Sequence, residues 1–331
     1  MTGPWPRGFP RVPEDAWVTS DPETLALQYD TVQAHGWYRN LDPTVESLER
    51  ALGPGAILLD YSGGTGILAE RLLEAVGERE LGILIVDSSP KFLRVALDKL
   101  GGDERVAFRR IRYLREERRL ETLQEAVEQP LLERGVDVVA STNAVHLYYD
   151  LEETLRSWRL LLPPHGLVHV QSGNIGVPDL PDGAWIIDET VAAIGSAAEA
   201  LVREDERWAR YRGALSDPER RSAYAALREK FFLPVRPLDH YLRALERAGL
   251  RITSVEQRPI EASTVEWVEF LSAYHEGVLG WVGGSARVEG VPPAAEAVAD
   301  RLALLQVAAA RVLGGGRFDA VWTYVEAEVP A

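Results

Sequence analysis

Short apolar runs alternate with amphipathic runs from residue 56 to about residue 175. Strands are predicted at 56–59, 81–87, 105–111, 136–141 and 167–171, where Val, Ile and Leu dominate. Helices are predicted between them at 67–76, 88–100, 115–135 and 150–162. The third of these helices is rich in charge, which is typical of a solvent-exposed helix. Ser89 and Pro90 have the order of an N-cap and a first helical residue, and Asp150 and Glu153 have capping-box spacing.

This alternation stops after residue 175. Residues 176–235 are mostly helical in pattern, 237–249 and 250–258 form a helix and a strand, 264–313 are helical, and 317–329 form a last strand. We therefore expect a doubly wound α/β fold, with a seven-stranded, mostly parallel sheet and helical insertions forming a lid. The expected units are an N-terminal arm and helical cover at 1–50, core at 51–175, 236–260 and 317–331, a lid at 176–235, and a second helical insertion at 261–316.

Charge and composition narrow the function. The 331 residues carry a formal net charge of −15, which disfavours binding to nucleic acid or to anionic lipid. The sequence contains no long apolar run and no signal-peptide pattern, so we expect a cytoplasmic protein without membrane contact. Cysteine is absent, which excludes disulfides, thiolate metal sites, cysteine nucleophiles and iron–sulfur clusters. The sequence leaves a homodimer open.

The stretch ILLDYSGGTGILAERLL, residues 57–73, carries the clearest chemical signal. GTGILA fits the glycine pattern of a dinucleotide-binding loop, and Asp87 follows at the end of the next strand, where an acid binds ribose hydroxyls. Asp60, however, ends the first strand beside the loop, and a carboxylate there would repel a pyrophosphate. The same carboxylate would attract a ligand that carries an ammonium group, and S-adenosyl-L-methionine has both an ammonium and a sulfonium.

The segment from Asp60 to Gly66, DYSGGTG, resembles the D-x-G-x-G-x-G motif of class I S-adenosylmethionine-dependent methyltransferases, with Ser62 in place of the first glycine. The resemblance continues through Asp87 and through 136–171, where LPPHG resembles the turn before the family's fifth strand. It implies the family's Rossmann-like fold and S-adenosyl-L-methionine as cofactor. The cofactor-binding residues that we assign are Asp60, Ser62, Gly63, Gly64, Gly66, Asp87, Ser88, Asn143, Arg112 and Tyr38.

Several of these residues have specific expected roles. The resemblance implies that Asp60 engages the amino-acid end of the cofactor, that Asp87 binds the ribose, and that Asn143 lies near the methionine moiety. Arg112 occupies the position where the family often has an acid against adenine, so a backbone group near residues 111–113 is the alternative contact. In the N-terminal cover, Trp37 or Tyr38 is expected to close over the sulfonium through a cation–π contact, and ordinary packing is the alternative.

Candidate residues for the methyl acceptor are fewer, because methyl transfer from a sulfonium needs a general base only for a protonated nucleophile. His146 follows the fourth strand and is the best-placed base, with a structural histidine as the alternative. His275 is a second candidate base, with Tyr274 and Trp281 as substrate-binding residues. The alternative for this segment is an amphipathic helix whose aromatic side chains pack on the sheet. The sequence contains no metal-ligand spacing, so we expect no metal.

The sequence therefore favours transfer of a methyl group to a small, apolar or aromatic molecule. The inserted helical blocks support this substrate class, because they are rich in large side chains that suit a water-excluding lid: Trp185, Trp208, Tyr211, Tyr224, Phe231, Phe232, Trp267 and Phe270. Two alternatives remain open. One is an NAD-dependent oxidoreductase, based on GTGILA and Asp87, and the other is a non-catalytic methyltransferase-like binding protein, based on Ser62 and the missing acid near Arg112.

Overall fold

The computed structural model describes residues 3–331, and within them a central seven-stranded sheet forms the core. Residues 1 and 2, the start of the arm predicted over 1–50, lie outside the described residues. The strands are β1 Ile57–Tyr61, β2 Gly82–Asp87, β3 Val106–Arg110, β4 Val138–Thr142, β5 Leu167–Ser172, β6 Arg251–Ser263 and β7 Arg317–Glu328. Their order is β3-β2-β1-β4-β5-β7-β6, and β7 runs antiparallel to both of its neighbours. The other adjacent pairs are parallel, which confirms the predicted doubly wound, mostly parallel sheet.

Helices cover both faces of this sheet and extend beyond it. They are α1 Thr24–Asp30, α2 Asp42–Ala51, α3 Ile67–Val76, α4 Pro90–Leu100, α5 Leu123–Ala126, α6 Gln129–Arg134, α7 Leu151–Arg159, α8 Glu189–Glu204, α9 Arg212–Leu215, α10 Pro218–Glu229, α11 Leu238–Arg247, α12 Thr264–Ala273, α13 His275–Leu279, α14 Ala286–Glu289 and α15 Ala295–Leu313. The two predicted helix starts are confirmed, because Ser89 accepts a hydrogen bond from the backbone N–H of Phe92 and Asp150 accepts one from that of Glu153.

Alternate side chains of the buried strands enter different apolar clusters. Leu58 of β1 packs with residues of α3 and α4, whereas its neighbours Ile57 and Leu59 pack with residues of α7 and α11. This alternation is the two-residue period of a strand that is covered on both faces, and it explains why β1 and β2 are apolar almost without interruption. The sheet is thereby packed on both faces, and the loops described below follow the ends of its strands.

A third apolar cluster belongs to the inserted helices. Residues of α8, α10, α12, α13 and α15 pack together, and aromatic residues of β7 and of the 3-10 helix Gly36–Leu41 join them. The predicted lid aromatics all belong to this cluster, either buried within it or packed against it. Within residues 3–331, no helix is long and apolar enough to span a bilayer.

The long helix predicted over 115–135 is wrong. A two-stranded hairpin, Tyr113–Leu114 with Arg119–Leu120, precedes α5 and α6. Arg118 has a φ of 57°, which is incompatible with a continuous right-handed helix. Thr122 and Glu125 then form a capping box that starts α5, and Pro130 lies in the first turn of α6. Charged residues at helical spacing in this segment thus form a hairpin and two short helices.

Candidate functional site

A cavity of about 1430 Å³ lies at the carboxyl ends of the parallel strands, where doubly wound sheets bind their ligands. The loops after β1, β2, β3, β4 and β5 all contribute to its wall, and aromatic residues from the lid close its other side. Pockets for single small ligands usually measure about 300–1,000 Å³. The cavity is therefore large enough to hold a nucleoside-sized cofactor together with a second molecule.

The loop between β1 and α3 turns sharply. Ser62, Gly64 and Gly66 all have positive φ, and Ser62 and Gly64 line the cavity. Gly63 and Gly66 support the loop from behind. A Cβ atom at Gly63 would lie 2.6 Å from a carboxylate oxygen of Asp60, and one at Gly66 would lie 2.9 Å from Leu100 Cδ1. These glycines are required by close approach, which agrees with the motif read from the sequence.

Ser62, which replaces a glycine of the family motif, has a φ of 60° and a compensating contact. Its Oγ lies 3.0 Å from the hydroxyl of Tyr148, which lies 2.8 Å from Ser141 Oγ. Non-glycine residues in the left-handed region cost about 1–3 kcal/mol, and a local hydrogen bond offsets part of this cost. This contact helps Ser62 to occupy a left-handed position at which the family motif has glycine.

Asp60 is fully buried beneath Gly63, and neither carboxylate oxygen has a hydrogen-bond partner among the residues that the structure describes. Burial raises the pKa of this carboxyl to about 7, and the negative charge of Asp87 adds to the effect. A buried acid without a partner is costly in its charged form. A positive charge nearby would offset this cost, although Asp60 lies behind the cavity wall and its contact with a ligand stays a prediction.

Asp87 ends β2 and lines the cavity directly, followed by Ser88. Its two oxygens accept hydrogen bonds from the backbone N–H groups of Gly64, at 3.0 Å, and Ser89, at 2.7 Å. Burial raises the pKa of Asp87 to about 6, against the lowering effect of the backbone N–H groups around it. Asp87 thus ties the two loops together and presents an acid at the place predicted for a ribose contact.

Asn143 and Tyr38 line the same cavity. Asn143 has a φ of 54°, its backbone N–H donates to Gln171 O, and its Oδ1 accepts from Trp322 Nε1 at 2.8 Å. The ring of Tyr38 lies 5.8 Å from the guanidinium carbon of Arg71. Both residues are therefore held by the surrounding fold, and their roles toward the cofactor stay predictions.

Arg112 lies outside the cavity wall, which revises its expected role. Its side chain is 59% exposed and pairs with Asp15 and Glu121. The neighbours Ile111 and Tyr113 do line the cavity, and the backbone N–H of Ile111 is engaged by Asp87 O. The guanidinium of Arg112 lies at the surface because it forms ion pairs there with Asp15 and Glu121. The alternative, a contact from the backbone of residues 111–113, stays in place.

His146 lies in the cavity wall with both ring nitrogens engaged. Nδ1 lies 3.0 Å from Ser172 Oγ, and Nε2 lies 3.1 Å from Asn174 Nδ2. Burial lowers the pKa of His146 to about 4, so the ring is neutral near pH 7. Because Nε2 faces an amide donor, it accepts that hydrogen bond, and Nδ1 then carries the proton toward Ser172. This arrangement favours the alternative of a structural histidine over a general base.

The cluster 274–281 divides between cavity and lid interior. Tyr274 lines the main cavity, as predicted for a substrate contact. His275 instead lines a separate cavity of about 450 Å³, and its Nδ1 lies 2.9 Å from Arg301 Nη1. Burial lowers the pKa of His275, and the positive charge of Arg301 lowers it further. Trp281 is buried in the lid cluster. His275 and Trp281 therefore lie outside the main cavity, because His275 interacts with the buried Arg301 and Trp281 packs among the inserted helices.

Sequence reasoning missed Asp188, Asn174 and most of the aromatic wall. Asp188 lines the cavity, and its backbone N–H donates to Asn174 Oδ1 at 2.9 Å. Burial raises the pKa of Asp188 to about 7, against a lowering effect of the Asn174 amide. Asp188 follows no strand, so no local sequence signal singled it out. Over residues 3–331 no group of three or more metal-binding side chains is present.

Comparison with known proteins agrees with this geometry. Residues 59–168 match a family described as a methyltransferase domain. A segment of 114 residues is 31% identical to the hybrid PKS-NRPS synthetase apdA of Emericella nidulans, and it spans 34% of this chain but only 3% of that protein. The chain thus corresponds to a small part of the curated relative that it matches.

Solved structures share the fold at low sequence identity. The YcgJ protein of Bacillus subtilis has a TM-score of 0.50 at 13% identity, with 89% of this chain and 99% of that chain covered. An S-adenosylmethionine-dependent methyltransferase from Thiobacillus denitrificans, in complex with S-adenosylhomocysteine, has a TM-score of 0.48 at 16% identity, with 93% and 99% covered. The segment 59–168 is thus similar to a methyltransferase domain, and the likeness to these solved structures shows the fold alone.

The residues present fit S-adenosyl-L-methionine, the cofactor that the resemblance of the β1 loop implies. The cofactor is cationic at its sulfonium and its ammonium, and Asp60 offers a buried carboxyl that lacks a partner within the described chain. Gly63 leaves no room for a side chain above that carboxyl, which keeps the loop close to it. Asp87 supplies a second acid at the strand edge.

Proposed function

We propose that this methyltransferase transfers the methyl group of S-adenosyl-L-methionine to a small, apolar or aromatic molecule held beneath the lid. One observation carries this proposal: a single cavity is bounded on one side by the loops after β1 and β2 and on the other by aromatic side chains of the lid. The cofactor, when bound, supplies an activated methyl group on its sulfonium. The protein's own contribution is to hold both molecules and to exclude water.

On the cofactor side, Asp87 would accept hydrogen bonds from the ribose hydroxyls, and Ser62 to Gly66 would pack against the cofactor. Asp60 would attract its ammonium end, directly or through water. Asn143 would offer backbone or amide hydrogen bonds near the methionine moiety. Because Asp87 already receives two backbone N–H groups, it has further lone pairs for the ribose and stays oriented without the ligand.

On the acceptor side, the wall is formed by aromatic rings of the inserted helical blocks, of β7 and of the 3-10 helix Gly36–Leu41: Trp37, Phe231, Phe232, Trp267, Phe270, Tyr274 and Trp322. Such a surface gains most from burying an apolar or aromatic molecule and gains little from a nucleic-acid backbone. The formal charge of −15 also disfavours a polyanionic acceptor. Together these features support a small-molecule acceptor.

Calorimetric titration tests the proposal against its two alternatives. We expect saturable binding of S-adenosylhomocysteine and S-adenosyl-L-methionine, and no binding of NAD. Binding of NAD alone would favour the oxidoreductase. Saturable cofactor binding without methyl transfer to any member of a broad panel of small nucleophiles would instead favour the binding protein.

A further inference from the structure

Three polar side chains form a connected cluster in the acceptor part of the cavity. His146 Nε2 lies 3.1 Å from Asn174 Nδ2, and Asn174 Oδ1 accepts from the backbone N–H of Asp188 at 2.9 Å. Each of the three lines the cavity. Ser172 anchors the cluster, since its Oγ lies 3.0 Å both from the backbone N–H of Asn174 and from His146 Nδ1. These contacts hold the three residues in the cavity wall, where the Asn174 amide lies close enough to the Asp188 side chain to lower its pKa.

Asp188 does not have the usual role of an acid at its position. It immediately precedes α8, yet its carboxylate makes no capping hydrogen bond to the described backbone of that helix. No ion pair of Asp188 occurs within the part of the chain that the structure describes. Asp188 is half-buried in the cavity wall, and the partial burial of an acid without a cation is unfavourable for the fold alone. A ligand that brings a positive charge or a donor would remove this cost.

Aromatic rings surround the same cluster. Trp267 donates from Nε1 to Thr190 Oγ1 at 2.9 Å, which places its indole at the first turn of α8 beside Asp188. It stacks on Phe270 with ring centroids 5.0 Å apart and meets Trp37 edge-on at 6.0 Å.

Further aromatic contacts lie on the side of the cluster formed by β7 and Gly173. Trp37 stacks on Trp322 at 6.0 Å. Trp322 covers Gly173, where a Cβ atom would approach the indole to 2.6 Å, and Gly173 precedes Asn174 in the chain. The rings therefore form a chamber whose polar end is Asp188.

We propose that the acceptor is a primary or secondary amine on an apolar or aromatic skeleton, and that its nitrogen binds at Asp188 inside this aromatic chamber. The inference rests on the proposed function and specifies its acceptor. A carboxylate among aromatic faces suits an organic ammonium, because ring faces attract cations most strongly where water is excluded. A neutral apolar acceptor would leave Asp188 with the Asn174 amide but without a positively charged partner.

The same placement assigns Asp188 a proton-transfer role. A protonated amine is not nucleophilic, so one N–H bond must break while the nitrogen retains the electron pair. The proton then forms an O–H bond on Asp188, which leaves a neutral carboxylic acid beside a neutral amine. An apolar cavity favours this neutral pair, because burial penalises both charges of the ion pair. The pKa of about 7 that burial gives Asp188 is compatible with accepting the proton.

Binding of matched amines and alcohols tests the inference without relying on turnover. The protein, saturated with S-adenosylhomocysteine, is titrated with phenethylamine and tryptamine, and with 2-phenylethanol and tryptophol of nearly the same shape. We expect each amine to bind at least about tenfold more tightly than its alcohol, a difference of about 1.4 kcal/mol. Asp188→Asn should reduce this ratio to about one, whereas Asp182→Asn, at an exposed acid, should leave it unchanged.

The outcomes separate the inference from the function on which it rests. Equal binding of amine and alcohol by the unaltered protein overturns the inference, and so does a preference that survives in a folded Asp188→Asn variant. Binding of neither amine, with S-adenosylhomocysteine still bound, also overturns it but leaves the proposed methyl transfer intact. Failure of S-adenosylhomocysteine to bind removes the proposed function as well. The unaltered protein alone decides the first comparison, even if the variant does not fold.

Discussion

Asp60→Asn should stabilise the unliganded protein near neutral pH while weakening cofactor binding. Asp60 is buried without a hydrogen-bond partner in the described chain, and its pKa is raised from 3.8 to about 7. Between these two pH values the folded protein holds a proton that the unfolded chain releases. The penalty is therefore absent below about pH 4 and complete above about pH 7, so unfolding becomes easier as the pH rises.

The size of this penalty follows from the pKa itself. A pKa that differs by one between the folded and unfolded states corresponds to about 1.4 kcal/mol, so the change at Asp60 corresponds to ~4 kcal/mol at full ionisation. Between about pH 4.5 and pH 7.5 the difference in unfolding free energy between Asp60→Asn and the unaltered protein should grow by ~3 kcal/mol. The buried amide has its own cost of about 1–3 kcal/mol, but that cost does not depend on pH.

Urea denaturation across this pH range measures the effect, with Asp182→Asn as the control for removal of an exposed acid. Calorimetry on the same variants measures S-adenosylhomocysteine binding, which Asp60→Asn should weaken by about 1–3 kcal/mol because the cofactor's ammonium loses its anionic partner. A stability difference that stays within about 0.5 kcal/mol across the range would refute the account. Because Asp87 titrates nearby, the measured midpoint belongs to the pair of acids.

Four further substitutions probe other parts of the structure. Asp87→Ala should weaken S-adenosylhomocysteine about 5- to 150-fold in calorimetry, and an unchanged dissociation constant would reject the ribose contact. Arg112→Ala should leave that affinity within about 0.5 kcal/mol, since its side chain pairs at the surface. Tyr148→Phe should destabilise the protein to urea by about 0.5–1.5 kcal/mol, and less in a Ser62→Gly background, where the shared hydrogen bond is already lost. Arg301→Met should cost about 3 kcal/mol or more in urea denaturation, because it removes donors from buried carbonyls of the lid.

The elements that the sequence identified well are those whose signal is local. The buried strands are apolar on both faces, so the sheet could be read from continuous runs, and the turn after β1 could be read from its glycines. The helix prediction for 115–135 was wrong because charged residues at helical spacing do not exclude a hairpin. Thr122 is the N-cap of α5 and Pro130 lies in the first turn of α6. Both are local signals of two separate helices and could have corrected the prediction.

The acceptor chamber could not be predicted in this way. Asn174, Asp188 and His146 meet only after β4, β5 and the start of α8 have packed, and nothing near each residue along the chain indicates the others. The same holds for His275, whose interaction with Arg301 depends on the packing of α13 against α15. Sequence patterns predict faces and turns, whereas a site assembled from separate elements depends on tertiary contacts.

Two acids, the fully buried Asp60 and the half-buried Asp188, share a feature that stability alone does not explain. Each has its pKa raised to about 7 by burial, and neither has an ion-pair partner within residues 3–331. Replacing either with an apolar residue of similar size would be expected to stabilise a fold that had no ligand to bind. Asp60 behind the cavity wall and Asp188 in that wall are consistent with two ligands that each bring positive charge, a sulfonium cofactor at the β1 loop and an amine in the aromatic chamber. The two variants separate these roles, because Asp60→Asn should alter cofactor affinity and Asp188→Asn should alter the preference for amines.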